Sequence, residues 1–132
     1  MNSTPHHILL YNILHHNEAR RAFKEFLDSI DCGQMLEFLD EVEQFRTISD
    51  PTELRNEALR IWNHYLSPTA NLKVHVDAST LEIINSWILE QPNTNTFDMA
   101  TDEVYNSLET DCIPKLLSSP DYKGLAPLHK AY

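Results

Sequence analysis

Apolar residues recur along this chain at alternating steps of three and one, the signature of one face of an amphipathic helix. Over 17–30 the face is Ala19, Ala22, Phe23, Phe26, Leu27 and Ile30. Over 34–46 it is Met35, Phe38, Leu39, Val42 and Phe45. Ser49-Asp50-Pro51 then reads as a stop and a start: Asp50 suits an N-cap, Pro51 the first helical position, and Glu53 a box-like partner. The helix that follows carries Leu54, Ala58, Ile61, Trp62 and Tyr65. Residues 67–77 read as an irregular loop ending in the extended run 73–77, with no second strand to pair it. Ser79 and Glu82 form a capping-box pattern for a helix reaching about Glu90. That helix is apolar on most sides through Leu81, Ile83, Ile84, Trp87, Ile88 and Leu89, so a central position in a bundle is expected. Phe97, Ala100, Val104 and Leu108 define another helix, and Asp111 reads as the cap of a short one with Pro114 in its first turn. Tyr122 and Leu125 close the ordered part. Helix after helix without a strand pair predicts an all-α bundle.

Composition narrows what such a bundle can do. A chain of 132 residues is one domain's length and can bury roughly two-thirds of its unfolded surface. Its 42% apolar and 23% charged residues are those of a globular protein. The formal charge of −10 is the wrong sign for a general nucleic-acid or anionic-membrane binder. The only two glycines, Gly33 and Gly124, are too few for a Gly-rich phosphate loop. No apolar run is long enough to cross a bilayer, and the N-terminus lacks the basic region of a signal peptide. Cys32 and Cys112 suit reduced thiols of a cytoplasmic protein, with a single disulfide as the other reading.

Candidate chemistry is sparse. The His6-His7 and His15-His16 pairs point apart on a helix, and no zinc-spaced Cys/His set is present, so no metal site is expected. Carboxylates are plentiful, but nothing fixes two of them beside a nucleophile, and no intrinsic catalytic site is expected. One charge feature stands out. Between Lys73 and Lys115 there is no Lys or Arg, while Asp77, Glu82, Glu90, Asp98, Asp102, Glu103, Glu109 and Asp111 are acidic. Such a stretch is either a solvated helix surface or a face that meets a basic partner.

A set of short boxes, in order, carries a resemblance. Ala22-Phe23-Lys24-Glu25-Phe26-Leu27 is similar to the AFxxFL opening of regulator of G-protein signalling (RGS) domains. Leu36-Glu37-Phe38-Leu39 resembles the family's hydrophobic-x-Phe-Trp/Leu box, and 58–66 its A..I(Y/F)..(Y/F)(L/I) helix. Val74-His75-Val76-Asp77 resembles V-N-(L/I)-D. Phe97-Asp98-Met99-Ala100 with Val104-Tyr105 resembles FD.AQ…(I/V)(Y/F). The run 111–119 resembles D-S-(Y/F)-P-R-F-L-x-S, and Tyr122-Lys123-Gly124-Leu125 resembles Y..L. The resemblance implies a helical bundle of about nine helices over 14–125, after an N-terminal segment or short helix at 1–13 and before a tail at 126–132.

It further implies a domain that binds the switch regions of an active heterotrimeric G-protein α subunit and accelerates its GTP hydrolysis, terminating signalling. Family members supply no catalytic group; they hold the switches in transition-state geometry. No cofactor is implied, and a monomer is expected, cytoplasmic or peripheral at the membrane through its partner. The contact positions, carried over residue by residue, are Asp31, Cys32, Gln34, Met35, His75, Asp77, Ser107, Asp111, Cys112 and Lys115. Gln34 and Met35 replace the family's Glu-Asn, His75 its switch-orienting Asn, and Ser107 a Leu. Asp77 and Asp111 are retained, and Lys115 keeps the charge but not the fork of an arginine. A hydrogen bond lost to a buried partner is worth roughly 1–3 kcal/mol. His75 and Gln34 can still donate one; Met35 cannot. Core packing for Met35, a solvated loop for His75 and a helix cap for Asp111 are the structural alternatives. An adaptor that binds without activating hydrolysis is the second functional expectation.

Overall fold

Helix α1 (His6–Leu14) leads directly into α2 (Asn17–Ser29), whose first turn is capped by His16: its Nδ1 accepts from the Ala19 N–H at 3.2 Å. These helices belong to a computed structural model that describes residues 5–119; the 122–125 box and the 126–132 tail lie outside that range. The described chain is helical and contains no strand, with α3 (Gln34–Phe45), α4 (Pro51–Ile61), α5 (Ala78–Glu90), α6 (Asp98–Ser107) and α7 (Ile113–Leu117) following in order.

The expected count of about nine helices is not reached among the described residues, because several junctions are continuous. α4 runs on through a wide π-helical turn at Trp62–Leu66, and α6 passes through a second at Leu108–Cys112 into α7. Both wide turns lie just before prolines. The Ile113 N–H reaches back to the Leu108 carbonyl, which makes room for the Pro114 ring that would crowd a regular turn. In the same way the Ser67 N–H bonds the Trp62 carbonyl at 2.8 Å, and Ser67 turns extended before Pro68.

The residues fall into two compact units. One comprises residues 5–33 and 106–119 of the described chain. There α1 packs on α2 and on the Leu108–Cys112 turn. Leu9, Ile13, Phe23, Leu27, Leu108, Ile113 and Leu116 are buried. The other unit is 34–105. Its centre is an aromatic cluster in which Phe97 meets Phe45 edge-on at 5.1 Å and Phe38 at 6.4 Å, and Phe38 meets Tyr65 at 5.6 Å. Such pairs add about 0.5–1.5 kcal/mol each beyond burial.

Asp50 caps α4 as its sequence predicts: its carboxylate accepts from the Glu53 N–H at 2.8 Å, with Pro51 at the start. Three expectations are corrected. α5 begins at Ala78, so Ser79 lies inside its first turn and forms no capping box with Glu82. Its entry is instead held by Glu103 of α6, which accepts from the Asp77 N–H at 2.8 Å and from the Thr80 hydroxyl. α5 is also not central: only Thr80, Ile84 and Ile88 are buried, while Ile83, Trp87 and Leu89 are exposed. Asp111 caps no helix, because the chain around it is already helical.

Candidate functional site

Each unit carries its own group of the residues singled out by sequence. In the first, α2 ends in a Schellman turn: the Cys32 N–H bonds the Leu27 carbonyl at 2.7 Å and the Asp31 N–H bonds the Asp28 carbonyl at 3.1 Å. Asp31 occupies the left-handed position with φ 60°, where glycine is usual. This projects its exposed carboxylate from the helix end. Gly33 follows, and a Cβ there would lie 1.7 Å from Asp28 Oδ1, whose carboxylate is held by Lys24 at 3.1 Å. The chain can pass the Lys24–Asp28 pair only without a side chain, unless Asp28 swings away.

The same unit presents Ser107, Asp111, Cys112 and Lys115 on α6, the wide turn and α7. Asp111 and Lys115 are exposed and Ser107 is half-buried. Cys112 is 2% exposed, so its thiol faces the interior. Burial pushes that thiol up to about 11, and the neighbouring Cys32 adds to the effect. The Asp31–Cys32 turn and the Asp111–Lys115 run are therefore close to one another. Both cysteines are free thiols in this structure. No described residue pairs with the Asp111 carboxylate in an ion pair or a cap.

In the second unit Gln34 opens α3 and donates from Nε2 to the Lys73 carbonyl at 3.3 Å. This ties the start of α3 to the segment that carries His75 and Asp77. The segment is anchored from its other side, where the Leu72 N–H bonds the His64 carbonyl at 3.1 Å and the Val74 N–H bonds the Tyr65 carbonyl at 2.8 Å. Val74 is buried while His75 is exposed, so the loop pins one side chain inward and turns the next outward. Met35 is half-buried, between its two readings. Asp77 is exposed, and because Glu103 holds the entry of α5, its own carboxylate caps nothing.

A charged network stiffens the helices beneath this loop. Arg60 of α4 pairs with Glu57 at 2.8 Å and with Glu41 of α3, and the Tyr65 hydroxyl donates to Glu41 at 2.9 Å. The guanidinium holds the Glu41 and Glu57 carboxyls below their ordinary range. Sequence reasoning passes over Glu41 and sees in Glu103 only one acid of a charged stretch, since their roles depend on partners far along the chain. Among the described residues no group of three or more His, Cys, Asp or Glu side chains gathers to hold a metal ion.

A profile of the Regulator of G protein signaling domain family matches residues 10–125. The chain belongs to this family. Relatives of the RGS domain include Regulator of G-protein signaling 1 of Xenopus tropicalis, 30% identical over 91% of this chain and 59% of that protein. Regulator of G-protein signaling 5 of Rattus norvegicus is 29% identical over 88% of this chain and 64% of its own. Regulator of G-protein signaling 16 of Mus musculus is 31% identical over 86% and 56%. The RGS domain thus spans less than two-thirds of the length of these curated relatives. The boxes that carried the resemblance fall on real structural features: Phe38 and Phe97 in the aromatic core, Asp77 at the α5 entry and Asp111 on the wide turn.

Proposed function

We propose that this RGS domain binds the switch segments of an active heterotrimeric G-protein α subunit and accelerates its GTP hydrolysis. The observation that carries the reading is the state of Asp111. It matches the family's switch-binding Asp, stands exposed on a wide helical turn, and has no cap or ion pair among the described residues. A carboxylate in that state is free to accept from backbone N–H or hydroxyl groups of a partner. Asp77 is in the same condition at the entry of α5. The domain contributes no reacting group: it narrows the switch ensemble toward the geometry in which the α subunit orients its own water and charge. Asp31, Cys32, Gln34, Met35, His75, Ser107 and Lys115 complete the proposed contact set. Cys112 joins it only through its backbone, its thiol being buried. The domain acts as a monomer in the cytoplasm and meets the membrane peripherally through its partner; no helix among the described residues is long and apolar enough to cross one.

A second reading has its own support. Gln34 already uses its amide N–H on the Lys73 carbonyl, Met35 offers no hydrogen bond, and His75 stands where the family has its orienting Asn. These changes favour an adaptor that recognises the active α subunit without speeding hydrolysis. One experiment separates the two. Binding to candidate α subunits is measured in the GDP, GTP-analogue and transition-state-mimic states, alongside single-turnover GTP hydrolysis. Activation requires tighter binding to the mimic than to the analogue, and a tenfold preference corresponds to about 1.4 kcal/mol off the barrier. Asp111→Ala is then expected to weaken binding about tenfold or more, and His75→Ala to lower the hydrolysis rate. Equal affinity for analogue and mimic means an adaptor, and no state-dependent binding to any α subunit rejects both readings.

A further inference from the structure

The first unit is discontinuous in sequence. Its described residues are 5–33 and 106–119, so the chain leaves it after α2 and returns to it only at the end of α6. Cys32 stands where the chain leaves, and Cys112 ends the wide turn soon after it returns. These are the only cysteines in the sequence, and both are free. They also meet. Cys32 donates its own proton to the Ile30 carbonyl at 3.4 Å, which leaves its sulfur to accept in the side-chain hydrogen bond that joins it to Cys112. This contact belongs to the free chain and does not depend on the α-subunit reading.

The two thiols are unequal. Cys32 is half-buried on a turn, while Cys112 is 2% exposed, with Ile113 and Leu116 buried beside it. A small oxidant arriving from solvent therefore reaches Cys32 first. Burial keeps Cys112 protonated at neutral pH and unreactive on its own. Its one accessible target is its neighbour. There a small thiolate fraction is offset by permanent contact with a single sulfur, which is a high effective concentration. The charge of Cys32 is among the influences that push the Cys112 thiol up, and the Lys115 ammonium pulls it down. A neutral sulfenic acid at Cys32 removes the first influence and leaves the second.

We propose that Cys32 and Cys112 form a peroxide-responsive pair, which closes to an intramolecular disulfide and staples together the two chain segments of the first unit. In the first step the Cys32 sulfur attacks one oxygen of hydrogen peroxide. The O–O bond breaks, the other oxygen leaves as water with the thiol proton, and Cys32 becomes a sulfenic acid. In the second step the Cys112 sulfur attacks the Cys32 sulfur. The S–O bond breaks, and the hydroxyl leaves as water with the Cys112 proton. Two thiols have then given two electrons to one peroxide, yielding one disulfide and two waters. A dithiol reductant reverses the bond by exchange and is itself oxidised to a disulfide. In a reducing compartment a pair of this kind is a transient sensor rather than a fixed strut. Closure brings the sulfurs from hydrogen-bond contact to about 2.05 Å. Cys32 lies between α2 and α3 and Cys112 in the wide turn, so the adjustment falls outside regular α-helix. The bond closes residues 33–111 into one loop, a length at which restricting the unfolded chain has a large effect.

The test treats the full chain, reduced and then freed of reductant, with hydrogen peroxide. Remaining thiols are alkylated in denaturant and located by mass spectrometry. The expected product is a monomer that takes up no alkylating reagent and whose protease digest contains the Cys32 and Cys112 peptides joined. Its thermal midpoint is expected to stand about 10 °C above that of the reduced chain, and dithiothreitol to restore the lower value. Cys32→Ser is expected to leave the Cys112 thiol untouched by peroxide. Cys112→Ala is expected to stop at the Cys32 sulfenic acid, which dimedone traps. Circular dichroism checks the fold of each variant, and the digest of the parent chain carries the test without them. The proposal is overturned if the parent chain ends with a sulfinic acid at Cys32 beside an intact Cys112 thiol, or with a disulfide between two chains. A Cys32–Cys112 bond that leaves the midpoint unchanged or lowers it also overturns it, since the bond is then no staple.

Discussion

Asp31 shows a single residue held in a conformation that its type disfavours. Its φ of 60° costs an L-residue roughly 1–2 kcal/mol, less for Asp, whose short side chain bonds locally. The Schellman bonds on either side hold it there. Replacing it by Gly removes the Cβ penalty but adds freedom to the unfolded chain. Asp31→Gly is therefore expected to stabilise the domain by about 0.5 kcal/mol, read as a higher denaturation midpoint, while Asp31→Ala gives no gain. If the Gly variant is also a weaker binder of the α subunit, the carboxylate is retained for contact at the expense of stability. The two thiols offer a second test at this scale. Cys112 is buried with its thiol pushed up to about 11, whereas Cys32 is half-buried at a turn. A thiol reagent at neutral pH is expected to modify Cys32 readily and Cys112 only after unfolding. Equal rates at the two positions would contradict the packing around the Leu108–Cys112 turn.

At the level of elements, the entry of α5 separates structure from recognition. Glu103 does the capping work, so Glu103→Ala is expected to destabilise the domain by about 1–2 kcal/mol in denaturant titration. Asp77→Ala is expected to leave stability within about 0.5 kcal/mol. It should nonetheless weaken α-subunit binding if Asp77 is a contact. The helices whose signals are local were legible from sequence. The apolar period of α2 and α3 and the Asp50-Pro51 start of α4 need no distant partner. α5 was misread as central because Ile83, Trp87 and Leu89 look like core residues to any count of apolar positions. Their exposure depends on which side of the helix its packing partners cover, α4 among them. Ser79 and Asp111 were misread as caps for a related reason. A cap is chosen by which backbone N–H groups remain unpaired, and here Glu103 and the wide turn before Pro114 had already settled that. For the candidate site, ordered motifs supplied the residue identities. That Gln34 is already bonded to Lys73, that Cys112 faces inward and that Asp111 is unengaged are facts of tertiary contact, which no spacing along the chain encodes.

For the whole molecule, charge and fold stability pull in different directions as pH falls. A net charge of −10 means that the native chain repels itself at neutral pH, and protonation toward the pI of about 5.0 relieves this. The Arg60 network acts in the opposite sense. Arg60 lowers the Glu41 and Glu57 carboxyls below their ordinary value of 4.5, so both bind a proton more readily in the unfolded chain than in the folded one. Their contribution is complete above that value and is lost as pH falls through the lower values of the folded state. Stability is therefore expected to hold or rise from pH 7 to about 5 and to drop below about 4.5. Glu41→Gln is the discriminating variant. It keeps the shape and an acceptor for the Tyr65 hydroxyl but removes the charge facing Arg60. It should be less stable than the parent at pH 7, and the gap should close as pH falls, because the parent loses an interaction that the variant never had. Added salt should raise parent stability at pH 7 if self-repulsion dominates, since screening acts on the many exposed carboxylates more than on the partly buried pair. A gap that stays constant from pH 7 to 3, measured by urea titration at each pH, would mean that the Glu41–Arg60 contact adds nothing specific to the stability of the α3–α4 pair under the His75 loop.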